Sequence, residues 1–280
     1  MVKLFNGYYF LFIAIAIVYG VVLYFCLKNK SEKVQRLVLL IICFANLLLH
    51  FVKIFFPPYI NSLPGSLTRT TFANICAGTT LMMPFIFLVK KQNVLHDYIF
   101  FIGCCGGIGA LAYPAEALGK FIWAFDPIRF YICHINLVVV PMVFCALKLY
   151  TPRFKKVGMV LTLWFVHLGI IFLNEVFLMQ TGLVNMSTEQ FFDSEYRNTS
   201  FIFGPPDAFV PVYNILFDPL VPSFLKTDFW GLTANGKFWM PIVWMIIPIS
   251  IYIPIAYALL CTPFWIRNRV AKKKAVKQNA

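Results

Sequence analysis

The stretch Asp97-Tyr-Ile-Phe-Phe-Ile-Gly-Cys-Cys-Gly-Gly-Ile-Gly-Ala-Leu-Ala-Tyr113 decides how this chain is organised. About 20 apolar residues are needed to cross a hydrocarbon core of about 30 Å, and this is the shortest of seven candidate runs. The other six are Tyr8 to Leu27, Leu37 to Phe56, Thr71 to Val89, Phe130 to Tyr150, Val157 to Leu178 and Trp239 to Trp265. Counting the Asp97 run as a span makes the gaps between runs alternate in charge. Lys28, Lys30, Lys33 and Arg36 form one basic cluster, Lys90 and Lys91 a second, and Lys148, Arg153, Lys155 and Lys156 a third. Arg267, Arg269, Lys272, Lys273, Lys274 and Lys277 form the fourth. With seven spans all four lie on one side, which the positive-inside rule makes cytoplasmic. Without the Asp97 run they would divide between two sides.

Composition agrees with a membrane solvent. Of 280 residues, 60% are hydrophobic and only 12% charged, with a mean hydropathy of +0.78, which a water-soluble domain could not solvate. A net charge of +13 would suggest nucleic acid in a soluble protein. Here the charge is confined to short cytoplasmic gaps, where its partners are anionic headgroups. The reading is therefore an all-α membrane protein, a bundle of about seven transmembrane helices. Residues 1–266 form a single transmembrane domain and residues 267–280 a basic cytoplasmic tail. The protein sits in a cell membrane, or an internal one in a eukaryote, with its N-terminus extracytoplasmic and its C-terminus cytoplasmic. The first apolar run has almost no positive charge before it and no small-residue cleavage site, so it reads as a retained helix.

The outer gaps are rich in turn residues, as in Phe56-Pro57-Pro58-Tyr59. The longest, residues 179–238, carries six acids and many aromatics and reads as an extracytoplasmic cap between helices six and seven, with short interfacial helices. It contains two sequons, Asn185-Met-Ser and Asn198-Thr-Ser, relevant only in a glycosylating eukaryote. Pro241, Pro248, Pro254 and Pro263 should kink the last span. Gly103, Gly106, Gly107 and Gly109 should let the fourth approach a neighbour closely. The eight cysteines show no spacing suited to structural zinc and no disulfide framework, so no metal or other cofactor is implied.

Polar groups inside spans are costly and mark function by default. Cys43, Asn46, His50 and Lys53 follow at intervals of 3, 4 and 3 along one face of helix two. His167, Asn174 and Glu175 share a face of helix six. Helix three offers Asn74 and Cys76; helix five offers Arg129, His134 and Asn136. Cys76 and His134, each about five residues inside its span, fall roughly 7 Å below the outer boundary at about 1.5 Å per residue. His50 and Glu175 fall near the same depth, so four helices place polar groups in one layer. Glu175 and Lys53 sit where an ion pair could brace the bundle. His167, the deepest, reads as a neutral histidine bridging helices. Cys133 points about 100° away from His134, toward core or lipid. A thiol and an imidazole are the minimal unit of nucleophilic acyl transfer, although spacing alone does not pair Cys76 with His134.

Thr71-Phe-Ala-Asn-Ile-Cys76, Asp97-Tyr-Ile-Phe-Phe-Ile-Gly103, Ala110-Leu-Ala-Tyr-Pro114 and Arg129-Phe-Tyr-Ile-Cys-His134 resemble the YwaF-like integral membrane family of bacteria and the related transmembrane protein 164. The resemblance implies an acyltransferase making ether phospholipids, with Cys76 as catalytic cysteine on helix three and His134 as catalytic histidine on helix five. Bacterial members often carry a histidine two residues before the cysteine. This chain has Asn74, and an amide cannot take the thiol proton, so His134 would be the base. The expected site is thus catalytic Cys76 and His134, with Asn74, His50, Arg129, Asn174 and Glu175 binding substrate. The partners are membrane lipids and a lipid or acyl substrate. Two other classes use the same layer: a transporter or ligand-binding membrane protein, opposed by the odd helix count and the absence of repeats, and a non-catalytic membrane protein.

Overall fold

Asn6, Ser31, Asn74 and Asn93 each stand just before an apolar run and turn a side-chain oxygen onto a first-turn backbone N–H, which satisfies donors that a helix start leaves orphaned. In the computed structural model, which describes residues 1–63, 65–198, 200–228, 231–233 and 238–278, they open α1 (Gly7–Leu27), α2 (Glu32–Val52), α3 (Ile75–Leu88) and α4 (Val94–Ala112). The next helix, α5 (Phe125–Ala146), starts with Asp126 and Pro127, an acid that complements the helix dipole and a proline whose missing N–H costs nothing in a first turn. Then come α6 (Val157–Gln180), two short helices α7 (Thr188–Phe191) and α8 (Val210–Leu216), and α9 (Ile246–Gln278). Among the described residues there is no strand, only an isolated bridge between Val2 and Leu118.

Six helices are long and apolar enough to cross a membrane, and α3 is a shorter apolar one. The all-α membrane bundle read from the sequence is therefore present, but the boundaries move. The run expected to be the shortest, at Asp97, becomes a helix of 19 residues, because Asn93 and His96 form a capping box one turn earlier. The shortest is instead α3, whose 14 residues rise only about 21 Å. Asn74 takes the N-cap, so Thr71 to Ala73 are outside the helix. Hydropathy extends across a cap that hydrogen bonding does not cross. The run beginning at Phe130 starts five residues earlier, because Asp126 and Pro127 favour a helix start. The last helix begins at Ile246, not Trp239, since Ile242 has φ +66° and breaks the helix. It also runs past residue 266 without a break. Arg267 there donates to the carbonyls of Cys145 and Ala146 at 3.1 Å, so the expected tail boundary is not a structural one. Pro254 and Pro263 lie inside this helix, whereas Pro241 precedes it.

Residues from or beside the four basic clusters meet at one end, here called the basic end, where Gln92 donates to the Thr151 carbonyl at 2.6 Å and Arg267 to that of Cys145 at 3.1 Å. Arg36 reaches from α2 to the Leu149 carbonyl at 3.1 Å. Beside it Asp97, fully buried, accepts from Tyr150 (2.9 Å), Tyr257 (3.0 Å) and Arg153 Nε (3.0 Å). One carboxylate thus ties α4, the α5–α6 connection and α9 together. Removing it would strand the Tyr150 and Tyr257 hydroxyls, at about 1–3 kcal/mol for each buried group left unpaired, while the Arg153 guanidinium, 36% exposed, turns to solvent.

The α4 and α5 helices are the most buried. At Gly103 an added Cβ would lie 2.7 Å from the Leu137 carbonyl oxygen, and at Gly107 it would lie 2.8 Å from that of His134. Only glycine allows that approach of two backbones. The apolar residues left outside, such as Phe10, Leu48 and Leu259, face the surroundings as lipid-facing residues do.

The described residues between α6 and α9, called the cap here, gather around an apolar cluster containing Phe191, Phe203, Tyr213 and Trp244. Asn198 is spent inside it, bonding the Gly204 carbonyl (2.7 Å), the Ser194 carbonyl (2.8 Å) and the Phe203 N–H (3.1 Å). That sequon asparagine is therefore buried structure, while Asn185 is exposed.

Candidate functional site

Because α3 is short, its first turn ends below the cap end of the bundle, and a cavity of about 130 Å³ remains there between α2, α3 and α5. That is room for about four waters at about 30 Å³ each. Cys76, His134, Asn74, His50, Arg129 and Glu175 all line it. Of the residues expected at the site only Asn174 does not. Its amide donates to Thr71 Oγ1 at 3.1 Å and braces the chain leading into α3.

Cys76 is the second residue of α3. Asn74 Oδ1 accepts from the Ala77 N–H at 2.7 Å, and Ser200 Oγ accepts from the Ile75 N–H at 3.1 Å. The Cys76 N–H lies between these two, in the first turn of the helix, where N–H groups have no i−4 carbonyl within the helix. A largely buried thiol thus stands at a helix N-terminus, where the dipole and first-turn N–H groups favour negative charge. Cys76 lies nearer the start of its helix than expected and His134 farther from the start of its own, because α3 starts late and α5 early. Gly106 on α4 forms the floor under the thiol; a Cβ there would touch Cys76 Sγ at 3.4 Å.

His134 Nδ1 lies 2.7 Å from the Phe130 carbonyl oxygen. A carbonyl only accepts, so Nδ1 carries the proton and Nε2 the lone pair. No protein group bonds Nε2 among the described residues. No hydrogen bond joins the thiol to the imidazole; both line the cavity.

His50 donates from Nε2 to the Thr70 carbonyl at 3.1 Å and accepts at Nδ1 from Lys53 Nζ at 3.4 Å. Lys53 also donates to the Arg69 carbonyl at 2.8 Å. Its expected pairing with Glu175 does not form. Glu175 is held instead by Arg197 of the cap, Nε at 2.7 Å and Nη2 at 3.0 Å, because a planar guanidinium matches both carboxylate oxygens. Arg197 also reaches Thr68 Oγ1 at 3.2 Å and so ties the cap to the cavity rim. Nothing local in the sequence marks it, since its partner lies 22 residues away.

Arg129 donates to Asp126 (2.9 Å), Tyr59 Oη (2.8 Å) and Glu116 (3.1 Å), while its Nε is buried without a partner. Tyr59 donates to Asp126 at 2.7 Å, and burial raises its hydroxyl above the ordinary phenol range. Cys133, expected to face core or lipid, lines the same cavity and is buried. The face that α5 turns to the cavity is wide enough to include it. His167 bridges helices as expected, with Tyr98 of α4 at 2.6 Å from its Nδ1, and does not line the cavity.

No curated protein and no solved structure matches the chain. A family model does, over residues 4–209. The matched region contains α1 to α6, every residue of the cavity and the cap as far as Phe209, and it agrees with the likeness carried by helices three to five. With well over half of its length covered, this multi-pass membrane protein belongs to the TMEM164 family.

Proposed function

We propose that this protein is a membrane acyltransferase that works on lipid at the cap end of the bundle, with Cys76 as nucleophile and His134 as base. The observation that carries the reading is the start of α3. A thiol in the first turn of a helix lines the cavity that also receives an imidazole held in one tautomer. His134 Nε2 takes the Cys76 proton and the thiolate attacks an acyl ester carbonyl. The tetrahedral oxyanion is met by the Cys76 N–H and the Asn74 amide. The C–O bond breaks, the lipid alkoxide takes the proton back from the imidazolium, and an acyl thioester remains on Cys76. A lysolipid hydroxyl then attacks it, with His134 as base, and restores the thiol. A cavity of about 130 Å³ receives the ester carbonyl beside Cys76 and leaves the acyl chains in the bilayer. The positive-inside rule, applied to the basic end, puts the cavity in the half of the membrane away from the cytoplasm.

A solute route through the bundle would have to pass the buried Asp97 cluster at the basic end, so the transporter reading gains nothing from the geometry. Acyl exchange between defined phospholipids by the purified protein is the test. Cys76→Ala is expected to reduce it to background while the protein stays folded. Full exchange by that variant overturns the proposal.

A further inference from the structure

Every carboxylate at the cavity is already paired. Glu175 belongs to Arg197, and Glu116 and Asp126 to Arg129, with Lys120 also on Asp126. Two cations there have no carboxylate partner among the described residues. Lys53, only 6% exposed, gives its ammonium to a carbonyl and an imidazole nitrogen, which leaves a third N–H and a full charge uncompensated. Arg69 stands at the mouth. The Arg129 Nε, equally buried, has no acceptor. A buried charge that neutral groups alone solvate is stabilised by a counter-ion, and that counter-ion must come from the ligand.

The same surroundings disfavour a ligand cation. No free carboxylate waits for an ammonium. The aromatic face that could receive a quaternary ammonium, that of Tyr59, is already flanked by Lys53 at 5.6 Å and Arg129 at 5.5 Å from its centroid. We infer that the cavity binds the phosphate of a headgroup with net negative charge, through Lys53, Arg69 and Arg129, and discriminates against zwitterionic headgroups. This rests on the cavity being the lipid site and needs no chemistry at Cys76.

The test is equilibrium binding to the full-length protein, followed by native mass spectrometry, with dihexanoyl phosphatidylglycerol, dihexanoyl phosphatidylcholine and inorganic phosphate as ligands. Phosphatidylglycerol is expected to bind about tenfold more tightly than phosphatidylcholine, the worth of one charge-assisted hydrogen bond. Lys53→Gln should abolish the difference and Lys53→Arg should keep most of it. Arg69→Gln, at the exposed mouth where folding is not at stake, should narrow it several-fold. Equal binding of the two lipids overturns the inference, as does a full preference surviving in both glutamine variants. Phosphate that competes as well as phosphatidylglycerol would overturn the lipid assignment, whereas weak competition supports it. Loss of acyl exchange without loss of this preference is a separate result, which bears on Cys76 alone.

Discussion

Exchanging His134 for glutamine is expected to leave the protein folded and to slow acyl exchange by about 10²–10⁴-fold, the usual contribution of a positioned base. Glutamine fills a similar volume and can still donate to the Phe130 carbonyl, so the bond that now holds Nδ1 at 2.7 Å is replaceable. What it lacks is a nitrogen lone pair that can accept and return a proton. The Cys76 N–H and the Asn74 amide remain, so the residual rate should exceed that of Cys76→Ala, which has no nucleophile. Single-turnover exchange measured beside thermal unfolding separates the two effects. An unchanged rate in a folded His134→Gln protein contradicts the assignment of the base.

Alanine at both Gly103 and Gly107 is expected to destabilise the bundle by roughly 1–3 kcal/mol per site, the range for overpacking, even after the gain of about 1 kcal/mol that alanine brings to a helix interior. The obstacles at these sites are the backbone oxygens of Leu137 and His134, at 2.7 and 2.8 Å from the new Cβ atoms, together with Val138 Cγ2 at 2.4 Å from that at residue 107. A side chain could rotate away; a helix backbone must shift as a whole. Because Gly107 rests on the His134 carbonyl and Gly106 on the thiol of Cys76, α4 is the shared support of nucleophile and base, and forcing α5 outward should lower exchange as well as stability. Gly109, with nothing within 4 Å, is the internal control: Gly109→Ala should be neutral or slightly stabilising. Melting curves of the two variants check the contrast, and equal behaviour would refute the packing argument.

The parts of this structure visible in the sequence are those governed by periodicity and solvent. Lipid selects apolar runs, and six of the helices they form are long and apolar enough to span. The spacing of Cys43, Asn46, His50 and Lys53 placed one face of α2, and all four are buried. The length of α3 was not visible by hydropathy, because Thr71 to Ala73 are no obstacle to an apolar window. The capping role of Asn74, a residue type favoured at helix starts, was the signal that could have set the boundary. Contacts made by tertiary structure had no local signature. Arg197 displaces Lys53 as the partner of Glu175 only because the cap folds back over α6, and Asn198 loses its sequon character only because Gly204 and Phe203 close around it. The consequence for function is the same in kind. Sequence named the thiol and the imidazole, whereas the place of Cys76 in the first turn of α3 and the neutral partners of Lys53 emerged from the folded arrangement.

The central claim is that Cys76 carries the acyl group. Incubating the purified protein with a phospholipid donor and no acceptor, quenching in acid and weighing the intact chain tests this most directly. The account predicts one added acyl mass that maps to Cys76, is released by neutral hydroxylamine, forms more slowly in His134→Gln and is missing from Cys76→Ala. A protein that exchanges acyl groups without that adduct, or an adduct that persists in Cys76→Ala, would contradict it.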